Sequence, residues 1–313
     1  MHWILSVSES FSLDKVLARS ARLLCPPFSL NGKETSTLYR VERLSTGHTV
    51  ELNISQTATG LVLHTNARLD GKETEEISQK VWRMLRIGEN LQTFLEMARN
   101  TPQLATAARE GALQLRGATM FEDIVKAAIL IFNSEKNYVQ SVSWLVDRFG
   151  DPLPSNPTLH AFPTPRQLLG EMALQEKLLG AALAQRLHKV AMQFQTQKIK
   201  SEEWFTSPQS LANFEANLKR ILDLKDEEIG AAMFYLGRYD YIPVDPCAQQ
   251  RVGIYLGEYT RATPEKIRAL FENWQPWGGL AYWLWDWSIH GTVHLPTERE
   301  GSYGALENWR RTS

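Results

Sequence analysis

The chain has 313 residues, of which 43 % are apolar and 22 % are charged, and its formal net charge at pH 7 is −1. This length and composition are ordinary for a globular protein of two modest domains. They exclude a membrane-spanning helix, since no apolar run approaches the roughly 20 residues that one needs. The near-zero net charge argues against an extended basic surface for nucleic acid.

Cysteine content and the N-terminal segment bound the expected cofactors and location. The two cysteines, Cys25 and Cys247, are too few for a four-cysteine zinc site, a four-cysteine iron–sulfur cluster or a disulfide framework. We therefore expect no metal and no cofactor. Residues 1–8 lack both the basic start and the long apolar core of a signal peptide, so we expect a cytoplasmic protein, with a monomer as the default.

The first 90 residues predict a small antiparallel sheet. Short β-prone or alternating segments are separated by turn signals, which is the pattern of half-buried strands. The predicted strands are His2–Ser8, Ser36–Glu42, His48–Ser55 and Gly60–Asn66. A helix follows, because Ile77, Val81, Met84 and Leu85 recur at helical spacing.

Beyond about Gly88 no convincing strand is predicted, and helices dominate. Five prolines between 152 and 165 predict an ordered surface loop at that point. The predicted helices are Leu91–Ala98, Phe121–Phe132, Asn137–Phe149, Leu178–Ala191, Leu211–Leu222, Glu227–Leu236, Pro246–Leu256, Pro264–Trp274 and Leu280–Ile289. The fold class is therefore α+β, with a β-rich domain at 1–90, a helical domain at 91–293 and a polar tail at 294–313.

The most informative segment begins with Leu-Gly-Arg-Tyr-Asp-Tyr-Ile-Pro-Val-Asp-Pro at 236–246. Asp245 precedes Pro246, which is a helix-start signal with an Asp N-cap and Pro at the first helical position. About thirty residues later, six aromatic side chains fall between Trp274 and Trp287. A carboxylate beside aromatic surface suits an enzyme that extrudes a flat base and breaks its bond to sugar. Asp245 therefore has two interpretations, a helix cap alone or a catalytic group.

The motif at 236–246, together with a β-rich part preceding a helical part, resembles the helix-hairpin-helix (HhH-GPD) DNA glycosylases of the alkylpurine (3-methyladenine) and 8-oxoguanine branches. The resemblance implies an N-terminal antiparallel sheet followed by a two-lobed helical domain that binds DNA between its lobes. It also implies that Asp245 stabilises an oxocarbenium-like sugar and orients the attacking water. The implied partner is double-stranded DNA containing a damaged base, with the protein at the nucleoid if the source is bacterial.

The segment before this motif departs from the family pattern. Bifunctional relatives carry a lysine that forms a Schiff base with the sugar, and the register places Glu227 at that position, with Lys225 nearby. Monofunctional chemistry is favoured, and lyase activity through Lys225 stays open. The family hairpin usually has Gly-hydrophobic-Gly for close approach to phosphate, whereas this chain has Asp223-Leu224-Lys225. Either Lys225 contacts DNA as a point charge, or the anchoring of DNA is weakened.

The resemblance also implies a base pocket near Trp283, Asp286 and Trp287. Trp283 and Trp287 are four residues apart and are expected to share one helix face. One of them would stack on a flipped base, and Asp286 would accept hydrogen bonds from a base edge. The alternatives are that the aromatic residues form a core and that Asp286 caps a local structure.

A second implied DNA contact lies at the end of the helix Phe121–Phe132. Glycosylases insert a wedge into the duplex from the matching turn, which is occupied here by Phe132 and Asn133, and Asn137 opens the next helix. The alternative is an ordinary helix end with a core Phe.

Two functions follow from the sequence. The first is a base-excision-repair DNA glycosylase that flips an alkylated or oxidised purine and hydrolyses its N-glycosidic bond with Asp245. The second is a catalytically weak or inactive protein of the same fold that binds damaged DNA or another partner.

Overall fold

A computed structural model describes residues 1–289 apart from 22–23, 32–36, 134, 197–210 and 259. The predicted tail at 294–313 lies outside these residues. The chain forms two compact units: one consists of 1–89, 113–122 and 136–195, and the other of 90–112, 123–135 and the residues from 196 onward. The predicted domain boundaries at 90 and 293 stay a prediction.

The first unit contains a five-stranded antiparallel sheet with the strand order β1-β5-β4-β3-β2. Its strands are β1 His2–Leu5, β2 Phe28–Asn31, β3 Thr37–Arg43, β4 Thr49–Thr57 and β5 Gly60–Thr65. The sheet confirms the predicted antiparallel architecture and the α+β class. Strand β2 is new, because Phe28-Ser-Leu-Asn is too short to show alternation beside Pro26 and Pro27.

Two helices cover one face of this sheet. They are α1 Leu13–Ser20, which the sequence analysis did not predict, and α2 Gly71–Met84. Helix α2 begins in a capping box, in which Asp70 and Glu73 satisfy each other's backbone amides. Their apolar faces join the inward residues of β3, β4 and β5 in one buried cluster. Burial of these alternating residues fixes the strand register, since a one-residue shift would expose them.

The described helices beyond α2 include counterparts of the predicted ones, whereas the helices Ala105–Glu110, Pro165–Leu168 and Met172–Leu179 were not predicted. In chain order, the described helices are α3 Gln92–Arg99, α4 Ala105–Glu110, α5 Met120–Phe132, α6 Glu135–Phe149, α7 Pro165–Leu168, α8 Met172–Leu179, α9 Ala181–Gln195, α10 Leu211–Leu222, α11 Asp226–Tyr235, α12 Pro246–Tyr255, α13 Pro264–Leu270 and α14 Gly278–Leu284. Helix α13 continues as a separate 3₁₀ turn at Glu272–Trp274, so the predicted single helix is two elements. Within the described ranges, no helix has the length and apolar content needed to cross a membrane.

The prediction that no strand follows Gly88 is wrong. Strands β6 Pro152–Leu153 and β7 Asn156–His160 form an antiparallel hairpin where an ordered surface loop was predicted. Pro152 is compatible with this pairing because it is the first residue of its strand, where a missing donor is tolerated. The buried Leu153 and Ala161 pack on Val41 of β3 in a small apolar cluster. Packing on the neighbouring sheet thus stabilises a short hairpin that the sequence pattern hides.

A buried charge network ties β3 to the start of α5 within the first unit. Arg40 is 2 % exposed, and its guanidinium contacts Glu122 at 2.7 Å and Glu42 at 2.5 Å. Lys80 donates to the other oxygen of Glu42 at 2.8 Å. The guanidinium also lies 4.4 Å from the ring centre of Phe28. Burial of these charges is tolerated because each one has an oppositely charged neighbour.

Replacement of Arg40 by Met should strongly destabilise the protein, because it leaves two buried carboxylates without their shared cation. We expect the free energy of unfolding to fall by about 3–5 kcal/mol, measured by urea denaturation. Arg109→Ala is the matched control, because the Arg109 side chain is 72 % exposed in its pair with Glu110; its effect should be about 0.5 kcal/mol or less. Similar effects of the two substitutions would contradict the role of the network.

Candidate active site

Asp245 is the N-cap of α12, as the Asp-Pro pair predicts. Its Oδ1 accepts hydrogen bonds from the amides of Cys247 at 2.9 Å and Ala248 at 3.2 Å, and the residue is 8 % exposed. Pro246 occupies the first helical position, which needs no amide donor. Across the described residues Oδ2 accepts no hydrogen bond. One carboxylate oxygen thus holds the helix end, and the other is left for a further partner.

The surroundings of Asp245 oppose its ionisation on balance. Burial raises the pKa of the carboxyl, and the negative charge of Glu227 adds to that effect. The two backbone amides and the positive charge of Arg251 act in the opposite direction and lower the pKa. Asp245 is therefore a partly desolvated carboxyl with a raised pKa, which the helix N-terminus and the Arg251 guanidinium offset only in part.

A pair of glycines at the start of α14 brings the aromatic segment against the chain that leads into Asp245. A Cβ on Gly279 would lie 2.0 Å from the carbonyl oxygen of Tyr241, and one on Gly278 would lie 2.8 Å from the side chain of Ile242. The amide of Gly279 donates to the carbonyl of Tyr239 at 2.7 Å. Only residues without a Cβ allow this approach, which explains the Gly-Gly pair in the sequence.

The expectation that Trp283 and Trp287 share a helix face is wrong. Helix α14 ends at Leu284 and Trp285 is extended, so Trp287 lies beyond the helix. Trp283 is 8 % exposed and packs against Phe234 of α11, with ring centres 5.5 Å apart. The backbone approach at Gly279 fixes the start of α14, and the helix ends after seven residues, about two turns.

Trp287 nevertheless belongs to an aromatic cluster beside α12. Its ring is half-buried and lies 5.4 Å from Tyr282 and 5.5 Å from Tyr255, both in edge-to-face geometry. Arg251 of α12 lies 5.9 Å from the Trp287 ring and donates to the Tyr282 hydroxyl at 3.2 Å. Arg251 thus connects the helix that begins at Asp245 with the aromatic cluster, a role that sequence analysis missed. The available signal was its position six residues after Asp245 on the same helix.

Asp286 has a local structural role. Its Oδ1 accepts hydrogen bonds from the amide of Ser288 at 3.0 Å and from the Ser288 hydroxyl at 2.6 Å. Its own amide donates to the carbonyl of Gln103 at 2.8 Å. These contacts correspond to the capping alternative, and contact with a base edge stays a prediction.

The predicted wedge residues lie around the end of α5. Phe132 is the last residue of α5 and is half-buried, and Asn133 donates to the carbonyl of Ile129 at 2.9 Å, which caps the helix. Asn137 is exposed in the first turn of α6 rather than at its first position. The DNA contacts of these three residues stay predictions.

The hairpin between α10 and α11 has a left-handed backbone conformation at Asp223, although this conformation usually favours glycine. Asp223 has a φ of +53°, a left-handed conformation that costs a residue with a Cβ more than it costs glycine. Leu224 is buried, and the side chain of Lys225 is exposed. The amide of Lys225 is already occupied, because it donates to Oε2 of Glu228 at 2.7 Å. A phosphate at this point would have to compete with a carboxylate of the protein itself.

A groove of the second unit includes residues of the segment that leads into Asp245. The groove has a volume of about 640 Å³ and is lined by residues that include Tyr241, Ile242, Glu215 and Arg268, but Asp245 and the three predicted pocket residues do not line it. In the part of the chain that the structure describes, no group of three or more His, Cys, Asp or Glu residues could hold a metal ion.

Comparison with solved structures identifies the fold. The 3-methyladenine DNA glycosylase from Archaeoglobus fulgidus is similar with a TM-score of 0.70 at 16 % identity, over 93 % of this chain and 100 % of that one. The fold is that of the helix-hairpin-helix DNA glycosylases. The 8-oxoguanine glycosylase/lyase of Clostridium acetobutylicum, in its apo-form, gives a TM-score of 0.64 at 16 % identity, over 90 % of this chain and 93 % of that one.

A second structure of the Clostridium enzyme, in complex with double-stranded DNA containing cytosine opposite 8-oxoguanine, has a TM-score of 0.62 at 15 % identity over 90 % of this chain and 97 % of that one. No protein-family model and no curated protein sequence matches the chain. The helix-hairpin-helix glycosylase fold therefore rests on shape, at identities where sequence comparison alone finds no relative.

Substitutions of Asp245 distinguish the effect of its helix-capping hydrogen bonds on stability from the effect of its negative charge. Asn accepts the same amide hydrogen bonds but carries no charge, so Asp245→Asn should be at least as stable as the wild type at pH 7. The pKa of Asp245 is raised in the folded state, so its ionised form destabilises the fold at neutral pH, and this effect disappears as the pH falls to the ordinary Asp pKa of about 4. The advantage of Asp245→Asn in urea denaturation should therefore shrink between pH 7 and pH 4.

Asp245→Ala provides the matched control for the cap. It removes the charge and the hydrogen bonds together, so it should be less stable than Asp245→Asn by about 1 kcal/mol. A wild type clearly more stable than Asp245→Asn at pH 7 would contradict the dominance of burial over the favourable charges.

Proposed function

We propose that the protein is a monofunctional DNA glycosylase that flips a damaged purine out of double-stranded DNA and hydrolyses its N-glycosidic bond. The observation that best supports this proposal is the position of the Asp245 carboxylate. It is fixed through one oxygen at the start of α12, and its other oxygen accepts no hydrogen bond from the described residues. The fold shared with DNA glycosylases supports this assignment.

The chemistry follows from that position. Departure of the base leaves positive charge on the sugar, and an ionised Asp245 would stabilise this charge electrostatically. Because Oδ1 is held by two amides, the carboxylate needs no reorganisation during the reaction. Partial burial strengthens its interaction with the developing charge, since few water molecules screen it.

Aromatic surface favours an alkylated purine as the substrate. A positively charged alkylated base is attracted to aromatic faces, and the cluster around Trp287 offers several rings. The half-buried Trp287 and the Trp283 of α14 are the proposed stacking residues. The proposal places a monomeric enzyme with the DNA it repairs, in the cytoplasm, and at the nucleoid in a bacterium.

The decisive experiment measures base release from duplex oligonucleotides that carry alkylated, deaminated or oxidised bases. We expect release by the wild type from at least one lesion, without strand cleavage. Asp245→Asn should lower the single-turnover rate by about 10²-fold or more, the scale of a lost electrostatic stabiliser. Urea denaturation of the same preparation serves as the folding control. No release from any lesion by a folded wild type would contradict the proposed activity.

One observation favours the second candidate function, a protein of this fold that binds without efficient catalysis. Glu228 occupies the hairpin amide that would otherwise face a phosphate, and the exposed Asp223 adds negative charge beside it. Asp226 is partly neutralised by Lys219 at 2.8 Å. This hairpin is a weaker anchor for DNA than one built from glycine amides.

The contribution of Lys225 to DNA binding is testable by salt dependence. Lys225→Gln should weaken binding to damaged and undamaged duplexes alike and reduce the slope of log K against log salt by about one. Fluorescence anisotropy between low and moderate salt measures both quantities. Lys266→Gln is the matched control, since it removes the same charge from an exposed side chain that pairs with Glu258 at 2.5 Å. Equal slopes for the wild type and Lys225→Gln would show that the hairpin does not anchor DNA through this lysine.

A further inference from the structure

We propose that Glu227 is a second carboxylate of the active site, which accepts the proton of the water that attacks the sugar while Asp245 stabilises the sugar cation. This inference rests on the glycosylase function proposed above. It assigns the two tasks to two side chains, whereas the sequence analysis gave both of them to Asp245.

Glu227 lies in the first turn of α11. Residues 227, 230 and 234 lie on one face of this helix, because their spacings of three and seven residues return to the same side. A Cβ on Gly230 would lie 3.5 Å from Pro243 and 3.8 Å from the ring of Trp283. This face therefore packs on the segment that leads into Asp245, and Glu227 extends it by one turn toward the N-terminus of α11.

The negative charge of Glu227 acts on two residues at the start of α12. After burial, the charge of Glu227 is the other influence that raises the pKa of Asp245. The pKa of Cys247 is also raised, by burial first, by Asp245 next, and by Glu227 to a smaller extent. These effects on two residues at the start of α12 agree with the position of Glu227 on the face of α11 that packs on the segment before Asp245.

Glu227 differs from its two neighbours on α11, whose carboxylates take part in interactions of the fold. Its neighbour Asp226 pairs with Lys219, and Glu228 accepts the amide of Lys225. Within the described ranges Glu227 has neither a hydrogen bond nor an ion pair, although it is only half-exposed. A half-buried carboxylate that stabilises nothing else is available for a reaction.

In the proposed step, water replaces the base on the sugar and gives one proton to Glu227. The oxygen of a water molecule forms a bond to the anomeric carbon as the bond between that carbon and the base nitrogen breaks with its electron pair. The water proton moves to the carboxylate of Glu227 and is later released to solvent. Asp245 stays ionised throughout, because its task is to stabilise the positive sugar. A carboxylate cannot form a Schiff base, so this arrangement releases the base without cleaving the strand.

The charged and titratable groups around Glu227 are few enough to interpret a pH profile. Those at the start of α12 and along it are Asp245, Cys247 and Arg251. Those on α11 itself are Asp226, which forms an ion pair with Lys219, and Glu228, which accepts a hydrogen bond from the amide of Lys225. The charge of Glu227 is one of the influences that raise the pKa of Asp245. Glu227→Gln removes this influence and should therefore shift the acid limb of the rate profile to lower pH.

The test is single-turnover base release by the wild type, Glu227→Gln and Glu227→Ala at saturating enzyme. We expect Glu227→Gln to lower the rate by about 10²-fold with DNA affinity unchanged or tighter. Formate added to Glu227→Ala should restore part of the rate, since a small carboxylate replaces the missing proton acceptor. Asp226→Asn removes the same charge from the adjacent residue and should leave the rate within about threefold of the wild type, about half of the roughly 1.4 kcal/mol that a tenfold change represents.

The outcomes separate this inference from the function on which it rests. If the wild type releases a base and Glu227→Gln does so equally fast, the role of Glu227 is overturned and the glycosylase remains. A slow Glu227→Gln that formate does not rescue, with an unchanged pH profile, also overturns it, because that result indicates a structural defect. If the folded wild type releases no base from any lesion, the proposed function fails and the role of Glu227 fails with it.

Discussion

The fold of the second unit depends on how the helix that begins at Pro246 satisfies its first amides. Those donors need an acceptor, and Asp245 supplies a carboxylate oxygen at 2.9 Å and 3.2 Å. An Asn or Ser would satisfy the helix as well. The carboxylate is costlier in this position because burial disfavours its charge. The need to cap the helix thus fixes the position of the Asp245 carboxylate, although the fold does not need the negative charge of that carboxylate.

The elements around this helix end are arranged by close backbone contact. Gly279 allows α14 to approach the carbonyl of Tyr241, and Gly230 allows α11 to approach Pro243. These two contacts bring an aromatic helix and an acidic helix against the same short segment. The elements that carry the carboxylates and the aromatic rings are therefore held in fixed relative positions, as the proposed electrostatic catalysis requires.

Sequence analysis predicted what depends on local pattern. The Asp-Pro start of α12 and the alternating strands β3 to β5 follow from rules that need only neighbouring residues. It could not predict features set by distant contacts. Strands β6 and β7 are stabilised by packing on Val41, and the start of α14 is fixed by the backbone approach at Gly279. The packing of the Gly230 face of α11 on Pro243 likewise depends on a contact between segments that are distant in the local pattern.

Asp223 carries a consequence for how this protein can change. It adopts the left-handed backbone that a phosphate-binding hairpin uses, with a φ of +53°, although its side chain makes that conformation more costly and adds negative charge. Codons for Asp and Gly differ by a single base. The hairpin is therefore one nucleotide substitution away from a residue that adopts the same conformation more easily and lacks the charge that repels a phosphate. For the proposed DNA glycosylase, Asp223→Gly is thus a single mutational step toward tighter DNA binding without any change of fold.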